Sequence, residues 1–300
     1  MSTSALGPCL TATITSHNID ACAEAWCEYL HQAIDREEAI SAAQAEQWGH
    51  PALAGSRVLW LRNAEGEAWL RLIEDSSVAT VDPFRHTGWL SLEINVQDVD
   101  SLHRDLIDSP FRILGHPADL DISPDIRAMQ VMGPAGEVLY LTQIKREVPG
   151  FDLPLARSAV DRLFIPVLLA NSRDAALETY EQFPDTSGSR FETRITVINR
   201  AHGLTLETRH PVATVQLQGK SLIEIDEYPG LAPRPAGNTG LASGISMIGF
   251  AVEPACLASE AAGDYTLDAG PFAGGTARLL QGSAGELVEL IDRESATGRL

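Results

Sequence analysis

Five side chains in two stretches could do acid/base chemistry together. In Trp89 to Val96, Leu90, Leu92, Ile94 and Val96 share one strand face, while Ser91, Glu93 and Asn95 share the other. In the strand-like stretch that follows Gly136, Tyr140 and Thr142 alternate with aliphatic residues in the same way. A carboxylate in a partly apolar cup can act as a general base, and a neighbouring phenol can donate to a carbonyl. Glu93 and Tyr140 are therefore the catalytic candidates, with Ser91, Asn95, Thr142, His86 and Trp48 as ligand-binding candidates. An ordinary solvent-facing strand side stands level with that reading. Trp48 also reads as core, as aromatic residues on amphipathic segments usually are.

A second set lies in the C-terminal half. Glu224 and Glu289 each alternate with aliphatic neighbours, Ile223 and Ile225 in one case, Val288 and Leu290 in the other. If they face one cup, they could share a proton or hold a divalent ion with His202 or His210. Solvated or vestigial carboxylates are the preferred reading. The chain's histidines form no HxH or HxxxH pair, and there is no CxxC, GxGxxG, P-loop or nucleophile elbow.

The elements that must position these residues repeat along the chain. Gly282-Ser-Ala-Gly-Glu-Leu-Val-Glu-Leu-Ile has an earlier copy in Gly133-Pro-Ala-Gly-Glu-Val-Leu-Tyr-Leu-Thr, about half a chain away. Both read as a tight turn feeding a strand, and Tyr140 stands where Glu289 stands. Strand, helix and further strands recur four times. The first module has a strand from Leu10, a helix from Ala21 to Leu30 capped by Asn18 or Asp20, and a hairpin split by Asn63-Ala-Glu-Gly66. An extra helix is expected over Glu37 to Gly49, with a lid over the first cup and plain packing as equal readings. The second runs from Gly88 to Ile144, with a helix entered at Asp98. The third is expected as a strand from Leu163 to Leu169, a helix from Ser172 to Phe183, and strands Phe191 to Asn199, Val212 to Gln218 and Ser221 to Asp226. The fourth begins at Gly244 and includes a helix around Ala255 to Ala262. Pro149 to Pro154 reads as a linker, dividing the chain into domains 1–148 and 158–300 of two modules each. The fold class is α+β: four tandem βαβββ modules paired into two cup-shaped half-barrel domains.

Composition bounds the function. The chain has 300 residues, 44% of them hydrophobic, and carries 22 basic against 41 acidic residues, a net charge of −19. Neither nucleic acid nor an anionic membrane suits so acidic a surface. Four cysteines without zinc-like spacing suit a reducing compartment. No basic start is followed by an apolar run, so a cytoplasmic protein is expected. The expected partner is a small organic ligand, and a homodimer stays open.

The two Gly-x-x-Gly-Glu endings, the helix entry Val96-Gln-Asp-Val-Asp-Ser-Leu and the first helix from Asn18 carry a resemblance over nearly the whole chain. The chain resembles the vicinal oxygen chelate superfamily of glyoxalase I, extradiol dioxygenases and bleomycin-binding proteins. That resemblance implies a metal site with a His or Gln from a module's first strand and a Glu from its last. The matching positions fall near Thr11 and Leu70, near Ser91 and at Tyr140, near Phe164 and at Glu224, and near Met247 and at Glu289. First-strand histidines are missing throughout, so no cofactor is expected. A divalent metal ion on Glu224, Glu289 and His210 is the alternative. The resemblance thus implies a glyoxalase-like lyase or isomerase working by acid/base chemistry without the usual metal. The alternatives are a non-catalytic, sequestering protein of the resistance type and a metal-dependent, dioxygenase-like enzyme.

Overall fold

Each of the first three modules passes from strand to helix through one polar side chain. Asn18, Asp98 and Ser172 accept hydrogen bonds from the backbone N–H three residues on, at 3.0, 2.9 and 3.3 Å. This satisfies donors that the first helical turn leaves without partners. In the first helix Ile19, Cys22, Ala23 and Trp26 are buried, the spacing of a single apolar face. The structure, a computed structural model, describes residues 4–149, 152–257 and 263–296.

Module one comprises β1 (Leu6–Ser16), α1 (Ile19–Tyr29), β2 (Ala33–Ala39), α2 (Ala42–Gln47), β3 (Arg57–Arg62) and β4 (Ala68–Glu74). Module two comprises β5 (His86–Val96), α3 (Val99–Leu106), β6 (Arg112–Leu120), β7 (Ser123–Met132) and β8 (Val138–Ile144). Module three comprises β9 (Val160–Ala170), α4 (Arg173–Glu181), β10 (Gly188–Arg194), α5 (Thr196–Ala201), β11 (Arg209–Gln216) and β12 (Leu222–Glu227). A short β13 (Ala232–Pro233) precedes module four, with β14 (Gly244–Val252), α6 (Pro254–Leu257), β15 (Asp264–Thr266), β16 (Thr276–Gln281), β17 (Leu287–Asp292) and α7 (Arg293–Ala296).

The modules build two curled sheets, and the α+β class with paired βαβββ modules is what the structure has. One sheet runs β15-β16-β17-β14-β1-β4-β3-β2, the other β10-β11-β12-β9-β5-β8-β7-β6. Module one therefore pairs with module four, and module two with module three. This corrects the expected pairing of sequence neighbours, and both sheets cross the division between 1–148 and 158–300. The first strand of each module has an open edge that a first strand of another module must cover. β1 takes β14, with Thr13 opposite Met247, and β5 takes β9, with Glu93 opposite Ile165. The largest core cluster lies against α1, α3 and α4, and includes Trp26, Leu92, Ile94, Tyr180, Ile223 and Val288.

Two local expectations are corrected. Residues expected as one helix from Glu37 to Gly49 form part of edge strand β2 and the shorter α2. Asp35, Glu37 and Glu38 are charged because that edge faces solvent, which removes the apolar alternation of a strand. The expected strand Phe191 to Asn199 ends at Arg194, and α5 follows, its Ile195, Val197 and Ile198 buried beside Phe84 and Leu90. Of the expected helix Ala255 to Ala262, residues 258–262 lie outside the described residues, as do residues 150 and 151 of the linker.

The repeated Gly-x-x-Gly-Glu motif is a turn lock. Gly136 and Gly285 have φ of 82° and 83°, a left-handed conformation that glycine adopts without strain. Glu137 folds back over its turn: Oε2 accepts from Ala135 N at 2.8 Å and Oε1 from Trp26 Nε1 at 3.0 Å. Glu286 repeats this with Ala284 N at 2.9 Å and the Tyr180 hydroxyl at 3.1 Å. A Cβ on Gly133 or Gly282 would run into those carboxylates. Each glutamate thereby ties its module to the helix of the preceding one. Glu137→Ala leaves two buried donors unpaired, at about 1–3 kcal/mol each. The expected result is a stability loss of roughly 2–4 kcal/mol, with a smaller loss for Glu137→Gln, measured by urea unfolding at pH 7. An alanine variant as stable as the parent would refute the lock.

Candidate functional site

Alternation on β5 and β8 brings the first candidate set together. The strands run parallel, with Glu93 opposite Tyr140 and Asn95 opposite Thr142. Glu93 Oε1 accepts from the Thr142 hydroxyl at 2.6 Å. Module three completes the wall: β12 lies parallel to β9, and its Glu224 and Asp226 alternate onto the face opposite Ile223 and Ile225. Glu93, Tyr140, Ser91, Asn95, Thr142, Glu224 and Asp226 thus belong to the second cup.

The electrostatics of this cup are those of acids confined together. Burial pushes the Glu93 carboxyl up to about 8, and the charge of Glu224 adds to it, against the Thr142 hydrogen bond. Burial likewise raises Glu224. Asp226 is held well above the carboxylate range by burial and then by Glu224. Tyr140 is held well above the phenol range by burial, then by Asp226, Glu224 and Glu93. Ser91 stands near the Tyr140 hydroxyl without a well-formed hydrogen bond. Among the described residues, Ser91 Oγ, Asn95 Oδ1 and Tyr140 Oη are buried without a hydrogen-bond partner, and the buried Asp226 oxygens, beside Glu224, make no well-formed one. Such atoms cost about 1–3 kcal/mol each unless something binds them.

A cavity of about 260 Å³ meets this set at Asn95 alone, and its lining also includes Arg157, Arg162, Phe164 and Ser221. Asn95 is two residues from Glu93 on the same strand face, roughly 7 Å along the strand. Phe164 belongs to the apolar cluster that also packs Tyr140.

The first cup, between modules one and four, is closed. Arg71 Nη2 meets Glu289 Oε2 at 3.2 Å, and Arg71 Nε donates to the Thr13 hydroxyl at 2.9 Å. Trp48 Nε1 donates to the Tyr265 hydroxyl at 2.9 Å and to Glu289 Oε1 at 3.2 Å, while Tyr265 donates to the same oxygen at 2.9 Å. The Arg71 guanidinium lies 4.7 Å from the centre of the Trp48 ring and 5.3 Å from that of Trp60. Leu10, Leu53, Met247 and Phe272 pack in the cluster that holds both rings.

Several expected site residues therefore part company. Glu224 and Glu289 lie in different cups, which corrects the expectation that both face one. Trp48 fills the first cup and does not line the cup of Glu93. His86 sits at the start of β5, its Nδ1 on the Asp82 carbonyl at 2.9 Å, seven residues and roughly 23 Å of strand from Glu93. His210 lies on β11 opposite Thr193, with Nε2 bound to Asn199 Oδ1 at 2.7 Å. Burial and then the charge of His202 lower its pKa. The set Glu224, Glu289 and His210 cannot surround one ion. More generally, no three His, Cys, Asp or Glu side chains among the described residues come together to hold a metal ion. The residues present do not fit the metal of the resembled superfamily: one cup joins its carboxylate to arginine, and the other brings no such trio together.

Sequence reasoning missed Asp226 and Arg71. The first had a signal, since Leu222-Ile-Glu-Ile-Asp226 places it on the face of Glu224. The second had none, because Arg71 and Glu289 meet from 218 residues apart.

No family model matches the sequence, and no curated protein matches it. Solved structures do. Glyoxalase I from Zea mays superposes with a TM-score of 0.60 at 13% identity, covering 96% of this chain and 92% of that one. A protein from Bacillus subtilis assigned as a dioxygenase gives a TM-score of 0.63 at 11% identity, covering 99% of this chain and 88% of that one. At such identities the likeness is one of fold. No helix among the described residues is long and apolar enough to cross a membrane.

Proposed function

We propose that this chain, which has the vicinal oxygen chelate fold, binds a small organic molecule in its second cup and acts on it by acid/base chemistry, as a lyase or isomerase. The observation that carries this reading is a carboxyl pushed up to about 8, surrounded by buried polar groups that have no partner. A general base works best when its pKa lies near the working pH. Ionised Glu93 takes the proton from a carbon beside a carbonyl and can return it to a neighbouring atom. The Tyr140 hydroxyl, kept protonated by its surroundings, donates to the carbonyl oxygen as negative charge develops there. Asn95 and Thr142 orient the ligand and the base, and the adjoining cavity admits it.

The test follows the proton rather than one substrate. The full chain is incubated in D2O with a panel of small 2-hydroxy and 2-oxo carbonyl compounds, and deuterium entry beside the carbonyl is read by NMR. The expected result is catalysed exchange with one of them, rising in rate as pH approaches 8 and falling at least 100-fold in Glu93→Gln. Exchange unchanged by that substitution would overturn the assignment. Binding of a panel member with no exchange in the parent chain would support a sequestering protein instead.

A further inference from the structure

A second cavity, of about 300 Å³, lies between β6 and α5, away from the cavity beside Asn95. Its cations are Arg112 and Arg200, and its apolar wall includes Phe84, Ile113 and Val197. Most arginines of this acidic chain are ion-paired, but these two meet no carboxylate within salt-bridge distance among the described residues. Arg112 spends one N–H on the Met132 sulfur at 3.2 Å, and Arg200 one on the Leu114 carbonyl at 3.4 Å. The rest of both guanidinium forks is left for a ligand. The walls are fixed. His202 Nε2 donates to the Phe84 carbonyl at 2.8 Å, Arg85 meets His202 Nδ1 at 3.0 Å, and Tyr228 stacks on the His202 ring at 3.8 Å.

The charges around the cavity narrow the ligand class. Two guanidiniums call for an anion. Asp82 also lines the cavity, its carboxylate held by Phe84 N at 3.0 Å and 3.8 Å from Arg85, and it works against a multiply charged guest. Phe84, Ile113 and Val197 add a small apolar floor, which suits a compact hydrocarbon body. We propose that the cavity between β6 and α5 binds a small organic monoanion, an apolar carboxylate held by Arg112 and Arg200 with its body on Phe84, Ile113 and Val197.

The experiment is calorimetric titration of the full chain with benzoate, benzyl alcohol and inorganic phosphate, repeated on Arg112→Gln, Arg200→Gln and Glu93→Gln, with circular dichroism confirming that each is folded. Expected are saturable benzoate binding, benzyl alcohol and phosphate each at least tenfold weaker, and benzoate weakened at least tenfold by either arginine change but not by Glu93→Gln. Benzyl alcohol binding as well as benzoate would remove the role of the arginines. Phosphate binding as well would remove the apolar selection. No saturable benzoate binding, or binding lost only in Glu93→Gln, would overturn the site itself. None of these results depends on whether Glu93 is a catalyst.

Discussion

Glu93→Gln is expected to raise the thermal midpoint at pH 8 and to leave it nearly unchanged at pH 5. In the folded chain the Glu93 carboxyl is raised from its ordinary 4.5 to about 8. Between those values the folded state keeps a proton that the unfolded state has released. The stability linked to that proton is fully present below about pH 4.5, declines as pH rises, and is gone above about 8. At about 1.4 kcal/mol per unit, the loss across the window is on the order of 5 kcal/mol. Glutamine keeps an acceptor for Thr142 and carries no charge, so the variant escapes the Glu93 share of the decline. Glu137, pushed up to about 7 by burial, and Glu224, Asp226 and Glu286 slope the same way, so the variant keeps part of it. Below pH 4.5 the trend reverses at Glu67. Burial alone would raise that group, but Arg157 and Arg162 outweigh it and hold it down to about 2. Parallel pH profiles for parent and variant would contradict the account of the second cup.

Arg71→Ala is expected to be the most damaging single change in the first cup. Arg71 and Glu289 are 5% and 1% exposed, so removing the guanidinium leaves a carboxylate in the core, with only Trp48 and Tyr265 as donors. Losing one partner of a buried pair costs roughly 3–5 kcal/mol, and the cation's stacking on Trp48 is lost with it. The double replacement Arg71→Met with Glu289→Leu removes both charges at similar volume and should recover much of that loss. Denaturant midpoints of parent, single and double variants measure this directly. An Arg71→Ala variant within about 1 kcal/mol of the parent would mean that the first cup is not the packed, paired interior described here.

What the sequence made legible follows from how locally each feature is determined. The face shared by Ser91, Glu93 and Asn95 is set by alternation within one strand, and the structure keeps it, with Tyr140 and Thr142 beside it. The caps at Asn18 and Asp98 are equally local, and the repeated turn with its glutamate is visible as a motif. The pairing of modules is not local. Four similar first strands each offer an edge, and nothing in β1 names β14 over β5 as its neighbour. That one choice placed Glu224 with Glu93 and Glu289 with Arg71, and so decided which cup is closed by an ion pair and which gathers acids together. Where solvent or tertiary burial overrode the local pattern, the expected elements also failed, as in the charged edge strand β2 and the β-branched helix α5.

The most direct test of the central claim is the titration of Glu93 itself. Carboxyl-labelled glutamate would be introduced, and carbon-13 NMR spectra recorded from pH 4 to 10 for the parent chain and for Glu93→Gln, the missing resonance giving the assignment. A resonance that stays protonated through pH 6 and titrates near 8 is the predicted result. One that titrates near 4.5 would mean that the second cup is open to water and that Glu93 is an ordinary surface carboxylate.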